Sequence, residues 1–145
     1  MKKSILLVSH SQQLTEGLKQ MIEEMADGES VTIYSLGGTA EGELGSDATK
    51  IVDAVNESAD AELILVFADL GSAVLNAELA YDMLEPQQQE RYHLIDAPLV
   101  EGAFAAAITA GFSDDLAQIV AEAKKAAEKG WHEAWKKSLM IPQWS

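Results

Sequence analysis

His10 stands just behind four aliphatic residues, Ile5-Leu6-Leu7-Val8, in the stretch Val8-Ser9-His10-Ser11. A second aliphatic run, Leu63 to Phe67, is followed in the same way by Ala68-Asp69-Leu70-Gly71-Ser72. A shorter run, Val31 to Tyr34, leads into Leu36-Gly37-Gly38-Thr39. A carboxylate that accepts from the Nδ1–H of an imidazole fixes its tautomer and leaves Nε2 free as a nucleophile. Gly37 and Gly38 allow backbone N–H groups to approach an anion closely. Helices opening after His10 and after Gly71 would aim their positive dipole ends at the same place. Taken together, these residues describe a site that accepts a phosphoryl group on His10, with Asp69 orienting the ring. Each also has a plainer use: a histidine after a strand as a loop or capping residue, Asp69 as a helix cap, the glycines as a loop. Their coincidence at one sheet edge is what favours the joint reading.

That coincidence depends on the elements that carry them. Ile5–Val8 reads as a buried strand, being short, continuous and apolar. From about Gln12 to Ala26, apolar residues recur with helical spacing at Leu14, Leu18, Met21, Ile22 and Met25, and Asp27-Gly28 supplies a stop. Val31–Tyr34 is a second strand. Ser46-Asp47 can cap a helix from about Ala48 to Ser58 with Ile51, Val52 and Val55 on one face. Leu63–Phe67 is the clearest strand, followed by a helix from about Ser72 to Leu84 that ends before Pro86. His93-Leu94-Ile95 is a weaker fourth strand stopped by Pro98, and Val100 to Ala110 is Ala-rich and helical. Ser113-Asp114-Asp115 opens a last helix toward Lys129 as an N-cap with acidic residues in the first turn.

Strict alternation of strand and helix predicts an α/β fold: a doubly wound, mostly parallel sheet of four or five strands with helices on both faces. Ligands of such sheets bind outside the carboxyl ends of the strands, where strand order reverses. In a 2-1-3-4 order the first and third strands flank that point. His10 and Asp69 then become neighbours, with the glycine-rich loop beside them. No Lys or Arg lies within several positions of His10, Thr39 or Asp69, so the expected anion site is built of backbone donors.

The 145 residues suit one domain, and the absence of cysteine excludes disulfides, thiolate metal sites and cysteine nucleophiles. Met1-Lys2-Lys3 resembles the basic start of a leader, but the apolar run behind it is far too short for a signal peptide or a membrane span. The expected location is the cytoplasm. With a net charge of −14, nucleic acid and anionic membrane are not expected as partners, because both are bound largely through Lys and Arg. A basic protein surface suits an acidic chain better.

Other motifs fail on inspection. Gly37 and Gly42 have the spacing of a P-loop, but Glu43 stands where the phosphate-binding lysine belongs. Thr39 breaks the dinucleotide fingerprint, and Ser72 lacks a hydrolase elbow. His10, His93 and His132 are not at paired ligand spacing, so no metal and no cofactor is expected. His93 reads as structural and His132 as a surface or tail residue. Residues from Gly130 onward hold Trp131, Trp135 and Trp144 and the unusual Met140-Ile141-Pro142. A helix docking back on the core, an oligomer contact and an expressed tail all remain open for them.

The residues Ile5-Leu6-Leu7-Val8-Ser9-His10-Ser11, Gly37-Gly38-Thr39 and Ala68-Asp69-Leu70-Gly71-Ser72-Ala73, with Asn76 and Glu78 behind them, resemble the phosphotransfer subunit of bacterial dihydroxyacetone kinase. That family is similar to the mannose-type enzyme IIA domains of the phosphoenolpyruvate-dependent phosphotransferase system. The resemblance covers about residues 1–125, a phosphotransfer domain, and leaves 126–145 as a C-terminal helical extension or tail. It implies a phosphotransferase component that works through a phosphohistidine. His10 would receive the phosphoryl group from HPr, itself charged by enzyme I. It would pass the group to ADP held on a dihydroxyacetone kinase subunit. By position His10 maps to the phosphorylated histidine and Asp69 to its orienting carboxylate, with Gly38, Thr39, Gly71 and Ser72 around the phosphate. The family implies a homodimer that binds neither dihydroxyacetone nor free nucleotide. Some relatives carry appended HPr-like and enzyme I-like domains, for which 145 residues are too few, so separate donor proteins are expected. The transporter branch usually has Gly after its histidine; Ser11 here favours the kinase branch. Two rivals remain: a sugar-transport enzyme IIA that serves a IIB partner, and a non-catalytic doubly wound docking module.

Overall fold

The computed structural model describes the backbone of residues 1–26 and 28–139 and the side chains of these residues up to 128. Asp27 of the predicted stop, the side chains of Trp131, His132 and Trp135, and the segment from Met140 through Trp144 lie outside the described residues. Among the described residues four strands are present: β1 (Lys3–Val8), β2 (Val31–Ser35), β3 (Leu63–Ala68) and β4 (Tyr92–Leu94). Six helices accompany them: α1 (Gln12–Met25), α2 (Ala48–Glu57), α3 (Gly71–Met83), α4 (Pro86–Arg91), α5 (Leu99–Ala110) and α6 (Leu116–Leu139). The sheet runs β2-β1-β3-β4, and every pairing is parallel.

Both faces of the sheet are covered, which explains why β1 and β3 are continuous apolar runs without alternation. On one face Ile5, Leu7, Leu65 and Phe67 pack with Leu18 and Ile22 of α1, Ala103 and Ala107 of α5, and Ile119 of α6. On the other, Leu6, Val8, Ile64 and Val66 meet Ile51 and Val55 of α2 and Ala73, Ala77 and Ala80 of α3. All six residues of β1 are buried. Fully burying each large aliphatic side chain there stabilises the fold by roughly 1.5–3 kcal/mol before entropy is counted.

Helix starts follow their side chains. Ser11 caps α1 by accepting from Leu14 N, and Asp47 caps α2 by accepting from Thr49 N. Two elements differ from the sequence reading. A short helix, α4, fills the link before β4, begun by Pro86 and by a box in which Gln88 Oε1 accepts from Glu85 N. At α6 the cap is Asp115, which accepts from Ala117 N, and Ser113 acts one turn earlier by accepting from Asp115 N. Asp114 is drawn away instead to the ammonium of Lys3, 2.7 Å distant. The α6 backbone runs through residue 125 without a break.

Lys3 is the one basic side chain inside the fold among the described residues. Its ammonium donates to Ala110 O at 2.7 Å and so ties the start of β1 to the end of α5. Asp114 is exposed and stays solvated when the pair is broken, whereas the Ala110 carbonyl would be stranded. Lys3→Met should therefore cost about 1–3 kcal/mol, the usual loss when a buried acceptor is left unpaired. Urea unfolding checks this, and an unchanged midpoint would contradict it.

Candidate functional site

The parallel register brings the site together. Val8 pairs with Ala68, and Asp69 N continues the ladder by donating to Val8 O at 3.2 Å. The residues leaving β1 and β3 therefore emerge side by side. His10 Nδ1 lies 3.5 Å from Asp69 Oδ1. That is beyond a good N–H···O distance, and Nδ1 is buried with no hydrogen-bond partner. The carboxylate thus acts on the ring chiefly through its charge.

Asp69 is itself held firmly. Ser9 Oγ donates to its Oδ2 at 2.7 Å, Leu70 N to its Oδ1 at 2.7 Å, and His10 N to Oδ2 at 3.4 Å. Burial raises the Asp69 carboxyl, but the hydrogen bonds from Ser9, Leu70 and His10 outweigh it and hold the group below its ordinary value. The ionised form is favoured because each of those donors bonds a carboxylate more strongly than a neutral carboxyl.

At the far end of the ring, Nε2 hydrogen-bonds the hydroxyl of Ser72. Ser72 is the second residue of α3, whose N-cap position is Leu70, a side chain that cannot cap. The first turn of α3 therefore has no side-chain cap, and it lies beside the ring nitrogen that Ser72 contacts. Gly71 opens this turn. The structure thus assembles His10, Asp69, Gly71 and Ser72 at one rim.

Gly38 and Thr39 stand differently from the expectation of free anion donors. Gly37 N donates to Thr15 Oγ1, Gly38 N to Ser9 O and Thr39 N to Glu43 O. The loop is sewn to the histidine segment: Leu36 N bonds Leu7 O, Gly38 N bonds Ser9 O, and Gly45 N bonds His10 O. Glycine is required here for two reasons. Gly38 has φ +79°, and a Cβ on Gly37 would collide with the Ser11 carbonyl and Thr15 Oγ1. In place of the expected anion donors, the glycines serve close backbone docking and leave no N–H of their own free in this conformation.

Folding also brings in a cation that sequence distance hid. Lys50, from the first turn of α2, donates to Gly37 O at 2.9 Å and Gly38 O at 3.5 Å. Asn76 of α3 donates to Ser46 Oγ at 2.5 Å and closes the loop from its other side. Beyond Asp69 an open cleft is walled by Ala68, Val74, Leu94, Ile95 and Pro98, with Asp96 at its rim. His93 lies on β4 opposite Leu65, and burial lowers its pKa.

This geometry coincides with a known family. The sequence profile described as the fructose IIA component of the phosphotransferase system, of mannose type, matches residues 4–120. The chain belongs to the mannose-type IIA family. A member from Listeria innocua, the phosphoryl donor subunit DhaM of PEP-dependent dihydroxyacetone kinase 2, is 51% identical over 105 residues, covering 72% of this chain and 83% of that protein. The corresponding subunit from Escherichia coli is 35% identical over 127 residues, which is 86% of this chain but 27% of that longer protein. The chain thus spans about a quarter of the Escherichia coli relative's length. A crystal structure of EF1359, a protein of unknown function, is 65% identical and superposes with a TM-score of 0.84 over 90% of this chain and 98% of that one. The phosphotransferase component EIIA from Streptococcus agalactiae shares the fold, with a TM-score of 0.63 at 18% identity over 90% of this chain and 95% of that one. Among the described residues no helix of this IIA-family chain is long and apolar enough to cross a membrane.

Because its folded pKa is depressed, Asp69 contributes stability above its unfolded value of 3.8 and loses that contribution as pH falls through the lower folded value. The stability gap between the wild type and Asp69→Asn should hold above about pH 4 and shrink below it. Urea midpoints measured from pH 3 to pH 7 check this. A gap that stays constant through the acid range would contradict an ionised Asp69.

Proposed function

We propose that this chain is the phosphoryl donor subunit of a phosphoenolpyruvate-dependent dihydroxyacetone kinase. In this role it takes the phosphoryl group from HPr onto His10 and gives it to ADP bound on a partner kinase subunit. The observation that carries the reading is the division of the imidazole. Nδ1 is buried against Asp69, while Nε2 reaches the rim beside Ser72 and the open turn of α3. The names of the relatives supply the substrate class.

The chemistry follows from that division. With the ring proton on Nδ1, the Nε2 lone pair attacks phosphorus as the P–N bond to the donor's histidine breaks. The imidazole acquires positive charge as the new bond forms, and the nearby Asp69 carboxylate offsets it. Ser72 Oγ and the first N–H groups of α3 stand where the phosphoryl oxygens would lie. In the second half, an oxygen of the β-phosphate of ADP attacks phosphorus, the Nε2–P bond breaks, and ATP forms on the partner. That ATP phosphorylates dihydroxyacetone, so the small-molecule chemistry happens away from this chain. Both donor and acceptor place the work in the cytoplasm.

Incubation with enzyme I, HPr and phosphoenolpyruvate should add one acid-labile, base-stable phosphate, seen by intact mass, and His10→Ala should add none. Equal phosphorylation of His10→Ala would overturn the relay. Asp69→Asn should slow loading about 100-fold, the scale of loss when one group that stabilises transition-state charge is removed. The loaded chain should then discharge onto an ADP-charged kinase subunit. Retention of the phosphate there, with discharge onto a IIB protein, would move the assignment to sugar transport.

A further inference from the structure

Ser9 is wholly buried between the two elements that carry the site. Its hydroxyl proton goes to Asp69 Oδ2 at 2.7 Å, and its oxygen accepts from Ser11 N at 3.0 Å, at the cap of α1. Its backbone carbonyl accepts from Gly38 N at 3.0 Å, the stitch that docks the glycine loop. Among the described side chains, Ser9 alone donates a hydrogen bond to Asp69. The other two donors, Leu70 N and His10 N, belong to the backbone. A buried hydroxyl needs partners wherever it sits. This one, however, spends its donor on the orienting carboxylate and its acceptor on the helix that follows His10.

We infer that Ser9 is a positioning residue for phosphoryl transfer, aiming the Asp69 carboxylate at His10 Nδ1. The inference rests on the relay assigned to His10 above. The carboxylate can turn about its bond to the chain. Leu70 N restrains Oδ1 from one side, and without the Ser9 hydroxyl only the long bond from His10 N would restrain Oδ2. Rotation would carry Oδ1 away from Nδ1, whose 3.5 Å separation leaves little to lose. The hydroxyl proton reaches the ring only through Asp69, whereas the bond from Ser11 N serves the start of α1 whatever stands at position 69. That makes it separable from a general packing role.

A double-mutant cycle on the intact chain tests this, with loading by enzyme I, HPr and phosphoenolpyruvate as the readout. Ser9→Ala should slow loading about 10-fold, as loss of a supporting hydrogen bond behind a reacting group does. Ser9→Thr, which keeps the hydroxyl, should restore the rate to within about 2-fold of wild type by the same reasoning. In an Asp69→Asn background, Ser9→Ala should cause no further loss, and in the Asp69 chain it should move the carboxyl titration upward by carbon NMR. A Ser9→Ala chain that loads at the wild-type rate overturns the inference. So does an equal loss in both backgrounds, which marks a purely structural residue. Should Ser9→Ala fail to fold, Ser9→Cys replaces it, with a similar volume and a weak donor. Loading by Ser9→Cys no slower than by Ser9→Thr would overturn the inference equally. Absence of any loading in the wild type, by contrast, removes the relay itself.

Discussion

The pairing of β1 with β3 is the constraint on which the rest depends. Parallel register places Val8 opposite Ala68, and everything at the rim follows from what each strand releases next. A slip of one residue would turn one strand over against the other, sending its core side chains to the wrong face. Here each face packs its own cluster, with Ile5, Leu7, Leu65 and Phe67 on one side and Leu6, Val8, Ile64 and Val66 on the other. Two cores therefore enforce one register. The approach of His10 to Asp69 is a consequence of hydrophobic packing several residues away.

The site itself balances opposing demands. The carboxylate must stay ionised although partly buried, and hydrogen bonds from Ser9, Leu70 and His10 secure that. In the proposed relay the site must attract a phosphoryl group without trapping it. Backbone dipoles at the start of α3 suit that better than a direct ion pair, because their attraction is weaker. Lys50 spends its ammonium on the carbonyls of Gly37 and Gly38, where it stiffens the loop. The proposed carrier, which must release its cargo, would benefit from this arrangement.

Much of this was legible in the sequence because the signals were local and strong. Uninterrupted aliphatic runs gave strands buried on both faces, and the strand order brought His10 and Asp69 together as alternation implies. What was not legible depended on long-range partners. Which acceptors the N–H groups of Gly37 and Gly38 find is a matter of tertiary contact. Lys50 is distant from His10 in sequence and close to the loop only after α2 folds back. In the stretch Val8-Ser9-His10-Ser11 nothing local distinguishes the hydroxyl of Ser9 from that of Ser11. At α6, Asp114 was read as part of a cap, but the buried ammonium of Lys3 competes for it and wins.

The account turns on which nitrogen of His10 carries the phosphate. Nδ1 is buried beside Asp69, and Nε2 faces Ser72 at the rim. Phosphorus–nitrogen correlation NMR on the loaded, nitrogen-15-labelled chain reads this directly. Coupling of phosphorus to Nε2, with the proton retained on Nδ1, is the predicted result. Coupling to Nδ1, or phosphorus bound to any other residue, would contradict it.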